Sequence, residues 1–140
     1  MTEQQQPPQT SSKGKVLLID DDKFLLDMYC MKFTQGGFAV YGALSVKAAM
    51  EVIRGGFSPD AVVFDLVMPE ETGFSLLERL RADKIAPNAV KIALTNQDDP
   101  EEKKRAESLG ADCYIVKATM IPSEVVQRVA EEIAHHAKAQ

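Results

Sequence analysis

Four short stretches of this sequence end on side chains able to manage phosphate and a divalent cation. "LLIDDD" (17–22) closes on Asp20, Asp21 and Asp22, and "AVVFDLVMPEETG" (61–73) carries the lone acid Asp65. "IALTN" (92–96) carries Thr95 and Asn96, and "CYIVK" (113–117) closes on Lys117. Two unit charges about 4 Å apart at an effective dielectric of about 20 repel by about 4 kcal/mol, so converging carboxylates call for a cation among them. Oxygen donors without His or Cys suit a hard ion, and one or two carboxylates with room for water and a phosphate suit Mg2+ better than Ca2+. With such an ion, a carboxylate, a hydroxyl and an ammonium in one cleft, the economical chemistry is phosphoryl transfer onto Asp65. Carboxylates serve as covalent nucleophiles, and the cation, the Lys117 ammonium and the Thr95 hydroxyl would meet the charge on the transferring oxygens. Taken singly, each residue also has a plain structural use: Asp22 as a helix N-cap, Thr95 in a turn, Lys117 as a solvated lysine.

The elements that must position these groups are legible in the apolar pattern. The runs "VLLI" (16–19), "FAV" (38–40), "AVVF" (61–64), "VKIAL" (90–94) and "CYIV" (113–116) are mostly continuous, as in parallel strands covered on both faces. Amphipathic stretches lie between them. Leu25, Leu26, Tyr29 and Phe33 share a helical face that stops at Gly36-Gly37, and Ser45 caps a second helix carrying Ala48, Ala49, Val52 and Ile53. Phe74, Leu77 and Leu80 line a third. The fourth opens at Pro100 and offers only Ala106 and Leu109 to a core, so it is expected to be weakly anchored. The fifth opens at Ser123 and carries a wide core-facing stripe from Val125 and Val126 through Val129 and Ala130 to Ile133 and Ala134. Five strands alternating with five helices predict an α/β, doubly wound parallel sheet. Ligands of such sheets sit at the carboxyl ends of the strands, where all the acids, the threonine and the lysine fall.

A chain of 140 residues fits one domain. Its net charge of -5, with no Lys/Arg cluster, argues against nucleic acid as a direct partner. No apolar run approaches the ~18 residues of a membrane span, and the N-terminus lacks the apolar core of a signal peptide, so a cytoplasmic protein is expected. Cys30 and Cys113 sit among apolar residues without metal-type spacing and read as reduced, buried thiols. Residues 1–14 have no apolar anchor and are expected to form a disordered polar tail ahead of a domain spanning 15–137.

Over residues 15–137 the chain resembles the receiver domain of two-component response regulators. The resemblance rests on the acidic pair in "LLIDDD", the Asp-x-x-Met-Pro-x-x-x-Gly pattern of "DLVMPEETG", the hydroxyl of "IALT" and the lysine of "YIVK", in that order and spacing. It implies a flavodoxin-like strand order 2-1-3-4-5 and Asp65 as the phosphoacceptor, supplied by a sensor histidine kinase or a His-phosphotransfer protein. It also implies Mg2+ held directly by Asp21, by Asp20 through a metal-bound water, by Asp65 and by the backbone carbonyl of Val67. Thr95 and Lys117 would bind the phosphoryl oxygens, Thr95 and Tyr114 would act as switch residues, and helix 4, strand 5 and helix 5 would present the output face to an unidentified protein target. No sequence for an output domain follows the last helix, which implies a stand-alone receiver, a signalling phosphoacceptor rather than an enzyme with an external substrate. His135 and His136 near the chain's end read as a solvated helix terminus rather than a relay site.

Three positions depart from the family pattern. Lys117 is followed by Ala118 rather than the common proline of a cis bond; a cis form is nonetheless the favoured expectation, at a cost of about 2.5–4 kcal/mol. Asn96 stands where Ala or Gly is usual and could crowd the approach to Asp65. "KATMIPSEVV" (117–126) differs from the usual entry to helix 5. Two other readings stay open: a receiver-like scaffold that is never phosphorylated, and a haloacid-dehalogenase-type phosphohydrolase. The second is disfavoured because Phe24 occupies the Thr/Val position of its Asp-x-Asp-x-Thr/Val signature and no acidic motif follows Lys117.

Overall fold

A computed structural model describes residues 13–139. The chain runs β1 (Lys15–Ile19), α1 (Lys23–Gln35), β2 (Ala39–Ala43), α2 (Val46–Arg54), β3 (Ala61–Phe64), α3 (Gly73–Ala82), β4 (Val90–Thr95), α4 (Pro100–Ser108), β5 (Cys113–Val116), a 3-10 turn (Lys117–Thr119) and α5 (Pro122–Ala139). All strand pairs are parallel, as the continuous apolar runs predicted, and the order is β2-β1-β3-β4-β5, as the receiver-domain resemblance implied. Residues 1–12 of the predicted tail lie outside the described residues. Lys13 and Gly14, at its end, lead into the sheet: the Lys13 N–H donates to Gly37 O and the Ala39 N–H to Gly14 O.

Successive side chains of a strand leave on opposite faces, which divides the apolar runs into two cores. Val16, Leu18, Val63 and Ile115 meet Leu26 and Phe33 of α1 and Val125 and Val129 of α5. Leu17, Ile19, Val62 and Phe64 meet Met50 of α2, Leu77 and Leu80 of α3 and Ala106 of α4. The three central strands are therefore apolar at nearly every position, which is why their runs are almost continuous; Lys91 in β4 is a charged exception. β2, at an edge, continues past "FAV" to Ala43 because it pairs residue for residue with β1, from Lys15 with Ala39 to Ile19 with Ala43.

Short polar residues stop each loop and aim the following helix. Asp22 accepts from the Leu25 N–H at 3.2 Å, Ser45 from Ala48 at 3.1 Å, Thr72 from Ser75 at 3.2 Å and Asp99 from Glu101 at 3.0 Å. α5 begins one residue before Ser123, because Ile121 takes the cap position and its N–H donates to the Glu124 carboxylate at 3.0 Å. α4 is held thinly, as its composition predicts: Ala106 is its one wholly buried residue, and Arg105 Cζ lies 4.2 Å above the centre of the Phe74 ring on α3. Such an exposed cation–π contact contributes about 0.5–1 kcal/mol.

Gly73 fixes how closely α3 enters beneath the end of β3. Its N–H donates to Leu66 O at 3.1 Å. A Cβ at this position would fall 2.5 Å from Asp65 O and 2.9 Å from Leu66 Cα, both backbone atoms unable to swing aside. Gly73→Ala is expected to lower the unfolding free energy by about 2 kcal/mol, the cost of forcing a methyl group into a filled space. Urea denaturation checks this, and an unchanged midpoint would show that the loop yields freely.

Candidate functional site

Asp20 and Asp65 are each the first residue past the paired ends of β1 and β3, where Ile19 lies opposite Phe64. Main-chain bonds hold both: the Asp65 N–H donates to Ile19 O at 3.0 Å and the Asp20 N–H to Ala43 O at 3.1 Å. Each carboxylate then uses one oxygen to close a local turn. Asp20 Oδ1 accepts from the Asp22 N–H at 2.9 Å, and Asp65 Oδ1 accepts from the Val67 N–H at 3.2 Å. The other oxygen of each turns to the same ammonium: Lys117 Nζ is 3.0 Å from Asp20 Oδ2 and 3.4 Å from Asp65 Oδ2. Both acids are nearly covered, at 6% and 5% exposure, while Asp21 stands open to solvent.

Asp20, Asp21 and Asp65 can each offer an oxygen to one point, with the three oxygens within 4.8 Å of one another. At that separation and an effective dielectric of about 20, each pair of charges repels by about 3–4 kcal/mol. The one ammonium pairs with two of the three carboxylates, Asp20 and Asp65, so the cluster retains an excess of negative charge. Burial pushes the Asp65 carboxyl above the usual aspartate range and Asp20 adds to the push, against the opposing pull of Lys117 and the Val67 N–H. Burial alone would pull Lys117 down. Its hydrogen bond to Asp20 and the charge of Asp65 outweigh burial and hold it above the usual lysine range. An oxygen-only donor set with surplus charge, open to solvent on the Asp21 side, fits a hard divalent cation that keeps part of its water.

Of the remaining predicted residues, Val67 bonds to the cluster through its main-chain N–H. Thr95, 2% exposed, ends β4 opposite Val116, the residue before Lys117, and Asn96 follows it into solvent. The Val67 side chain is exposed while its N–H serves Asp65. Tyr114 on the edge strand β5 lies alongside Ala93, and its hydroxyl donates to Gln97 O at 3.1 Å and accepts from the Asp99 N–H at 3.3 Å. It thereby ties β5 to the loop that caps α4. The expectation of a cis Lys117–Ala118 bond is corrected: no cis peptide occurs among the described residues. Lys117 opens a 3-10 turn instead and reaches both acids through the lower-energy trans form.

Sequence reasoning did not identify the brace of the β3–α3 loop. Glu70 adopts a left-handed conformation with φ 69°, which a non-glycine residue holds only where its surroundings insist. Next to it, Glu71 accepts from Arg79 Nη1 at 2.9 Å and from Ser75 Oγ at 2.7 Å, and these bonds hold its carboxyl below the usual glutamate range. The available signal was a Glu four residues before Ser75 and eight before Arg79, too common a spacing to single out. A further feature went unread: Phe24, Leu44, Val67 and Ile121 are large apolar side chains left exposed on the same edge as the acids.

A family model described as the response regulator receiver domain matches residues 16–130. The phosphate regulon transcriptional regulatory protein PhoB of Escherichia coli K12 is 25% identical over 115 residues, covering 82% of this chain and 49% of PhoB. The probable transcriptional regulatory protein TcrX of Mycobacterium tuberculosis is 31% identical over 114 residues, covering 81% of this chain and 47% of TcrX. The chain thus spans about half the length of these curated relatives. Among solved structures, the CheY-like receiver domain protein of Methanospirillum hungatei JF-1 superposes with a TM-score of 0.79 at 27% identity, over 90% of this chain and 98% of that one.

Neutralising Asp65 removes its burial penalty together with its repulsion by Asp20 and Asp21. In Mg2+-free buffer, Asp65→Asn is expected to raise the melting temperature by about 3–5 °C, the equivalent of roughly 1 kcal/mol in a domain of this size. Added Mg2+ is expected to stabilise the parent protein and to leave the variant nearly unchanged. A variant that melts below the parent without Mg2+ would mean that pairing with Lys117 outweighs the repulsion.

Proposed function

The chain belongs to the response regulator receiver domain family, and from that premise we propose that Asp65 accepts a phosphoryl group from a phosphohistidine, assisted by Asp20, Asp21, Thr95 and Lys117. The observation that carries this reading is the convergence of Asp20, Asp21 and Asp65 within 4.8 Å beside the Lys117 ammonium. Asp65 Oδ2 attacks phosphorus. The new P–O bond forms as the P–N bond of the phosphohistidine breaks, and the electron pair returns to the imidazole, which takes up a proton. Lys117, already 3.4 Å from Asp65 Oδ2, exchanges a carboxylate partner for a phosphoryl oxygen. The Thr95 hydroxyl donates to a second oxygen. Asp20 and Asp21, with Asp65 and the Val67 carbonyl, would hold Mg2+, which when bound neutralises charge on the transferring oxygens.

The donor has to bring its histidine to this edge. Phe24 at 80% exposure, Val67 at 62%, Ile121 at 61% and Leu44 at 45% rim the acids with apolar surface suited to a helical histidine kinase or His-phosphotransfer protein. For the response, Tyr114 and the thinly held α4 support an output face formed by α4, β5 and α5, whose partner changes when Tyr114 releases Gln97 and Asp99. A cytoplasmic setting belongs to the same reading, supported by the two free thiols, Cys30 and Cys113.

Incubation with acetyl phosphate and Mg2+ is expected to add one phosphoryl group by intact mass, and Asp65→Asn or chelation of the metal to abolish the gain. Lys117→Met should slow the gain by about 100-fold, the usual loss for one charge-stabilising donor. Exposed Asn96, at the mouth of the site, is expected to impede water. Asn96→Ala should therefore shorten the phosphoryl lifetime by about threefold, a barrier change of roughly 0.6 kcal/mol. A chain that never gains phosphate while binding Mg2+ normally would identify a scaffold instead.

A further inference from the structure

At the edge of the sheet opposite the acids, α3, β4 and the end of α4 enclose a half-open cleft of about 420 Å3. Leu77, Leu80, Ile85, Pro87 and Leu109 make its walls mainly apolar. Three cations, Arg81, Lys84 and Lys91, stand at it on a protein whose net charge is -5. None of the three has an ion-pair partner among the described residues. Of the acids beside the lining residues, Asp83 lies 4.0 Å from Arg54, and Asp112 accepts the main-chain N–H of Lys91 at 2.8 Å. This volume, a mainly apolar lining and a few charged groups among it are those of small-molecule sites.

The cations are held at the cleft. The Arg81 guanidinium spans from the last turn of α3 to Gly110, where an added Cβ would lie 3.2 Å from Nη2. Lys91 donates to Ala86 O at 2.8 Å, leaving two ammonium hydrogens for another acceptor. Burial pulls Lys91 below the usual lysine range, against the opposing charge of Asp112, so an arriving anion would relieve an ammonium short of partners. Lys84 is the least expected of the three. The α3 terminus closes with Ile85 N–H donating to Leu80 O at 2.9 Å and Lys84 N–H to Arg81 O at 3.2 Å, a stop whose central residue is left-handed and usually glycine. Lys84 holds that conformation at φ 54°. A lysine kept where glycine is easier points to a use for its charge.

We propose that this cleft binds a small amphipathic carboxylate of the medium-chain fatty-acid class, with its chain against Leu77, Leu80, Ile85 and Leu109 and its head group at Arg81, Lys84 and Lys91. The site is separate from the phosphoacceptor cluster and does not depend on it.

The test is an amide-resolved NMR titration of the full chain, in Mg2+-free buffer, with octanoate, octanol and octylammonium. Octanoate is expected to shift amides of residues 81–91 and 109–112 saturably, with a Kd below about 1 mM, octanol to bind about tenfold more weakly for want of the charge, and octylammonium to leave them unmoved. Arg81→Gln and Lys84→Gly should each weaken octanoate several-fold, and Lys84→Gly should melt no lower than the parent, which separates lost binding from lost folding. Absence of saturable shifts, equal binding of octanol, shifts centred elsewhere, or unchanged affinity in both variants would each overturn the proposal.

Discussion

Three clustered carboxylates, two of them sharing one ammonium, set the terms for this molecule. Nothing about Asp20 and Asp65 favours their meeting except the sheet, which pairs Ile19 with Phe64 and so delivers the next residues side by side. Their burial is tolerable because each acid is divided between two donors, a turn N–H on one oxygen and Lys117 on the other. The compensation is incomplete, since Asp21 adds a third charge and brings no cation with it. A fold that holds such a surplus rigidly has spent part of its stability on an arrangement that a bound cation relieves.

The rigidity is unevenly distributed. β1, β3 and β4 are covered on both faces and carry Asp20, Asp65 and Thr95, so the reacting groups sit on the best-packed part of the chain. α4 is the opposite case. One buried alanine, an arginine over Phe74 and the Tyr114 hydroxyl at its cap are its principal ties. Elements with few buried contacts open first, and this one begins five residues after Thr95. Its contact with Phe74 also leads to Gly73 and the backbone of Asp65, a short chain of packed groups between α4 and the acids.

The sequence displayed most of the architecture because two-faced burial leaves few polar positions in the central strands: β3 falls where "AVVF" places it, and the edge strand β5 falls where "CYIV" does. β2 was underestimated, since an edge strand inherits its length from its neighbour and Tyr41 and Gly42 carry no strong signal of their own. The site residues were legible as types at strand ends. Their mutual geometry was not: that Lys117 bridges Asp20 as well as Asp65 depends on the 3-10 turn after β5, and that turn is long-range packing rather than local preference. The cis expectation went wrong for the same reason, because a family habit tied to proline does not transfer to Ala118. The braces at Glu71 and the left-handed Lys84 were equally silent, being ordinary residues made unusual by where the chain turns.

The doubly wound topology also imposes a charge polarity from end to end. Every helix begins near the carboxyl edge of the sheet and finishes near the opposite one, so partial positive charge gathers where Asp20, Asp21 and Asp65 stand and partial negative charge gathers at the far end. Basic residues in the last turns, Lys32, Arg54, Arg81 and Arg105, answer the second effect as helix physics predicts. That accounts for Arg81 but not for its neighbours. Lys84 lies beyond the end of α3 in a conformation that penalises it, and Lys91 is drawn into an apolar floor by β4. Helix dipoles place cations on exposed surface at helix ends; they give no reason to half-bury one ammonium and strain another beside a cleft walled by aliphatic side chains. The opposite edge of the sheet is therefore more than the electrostatic complement of the acidic one.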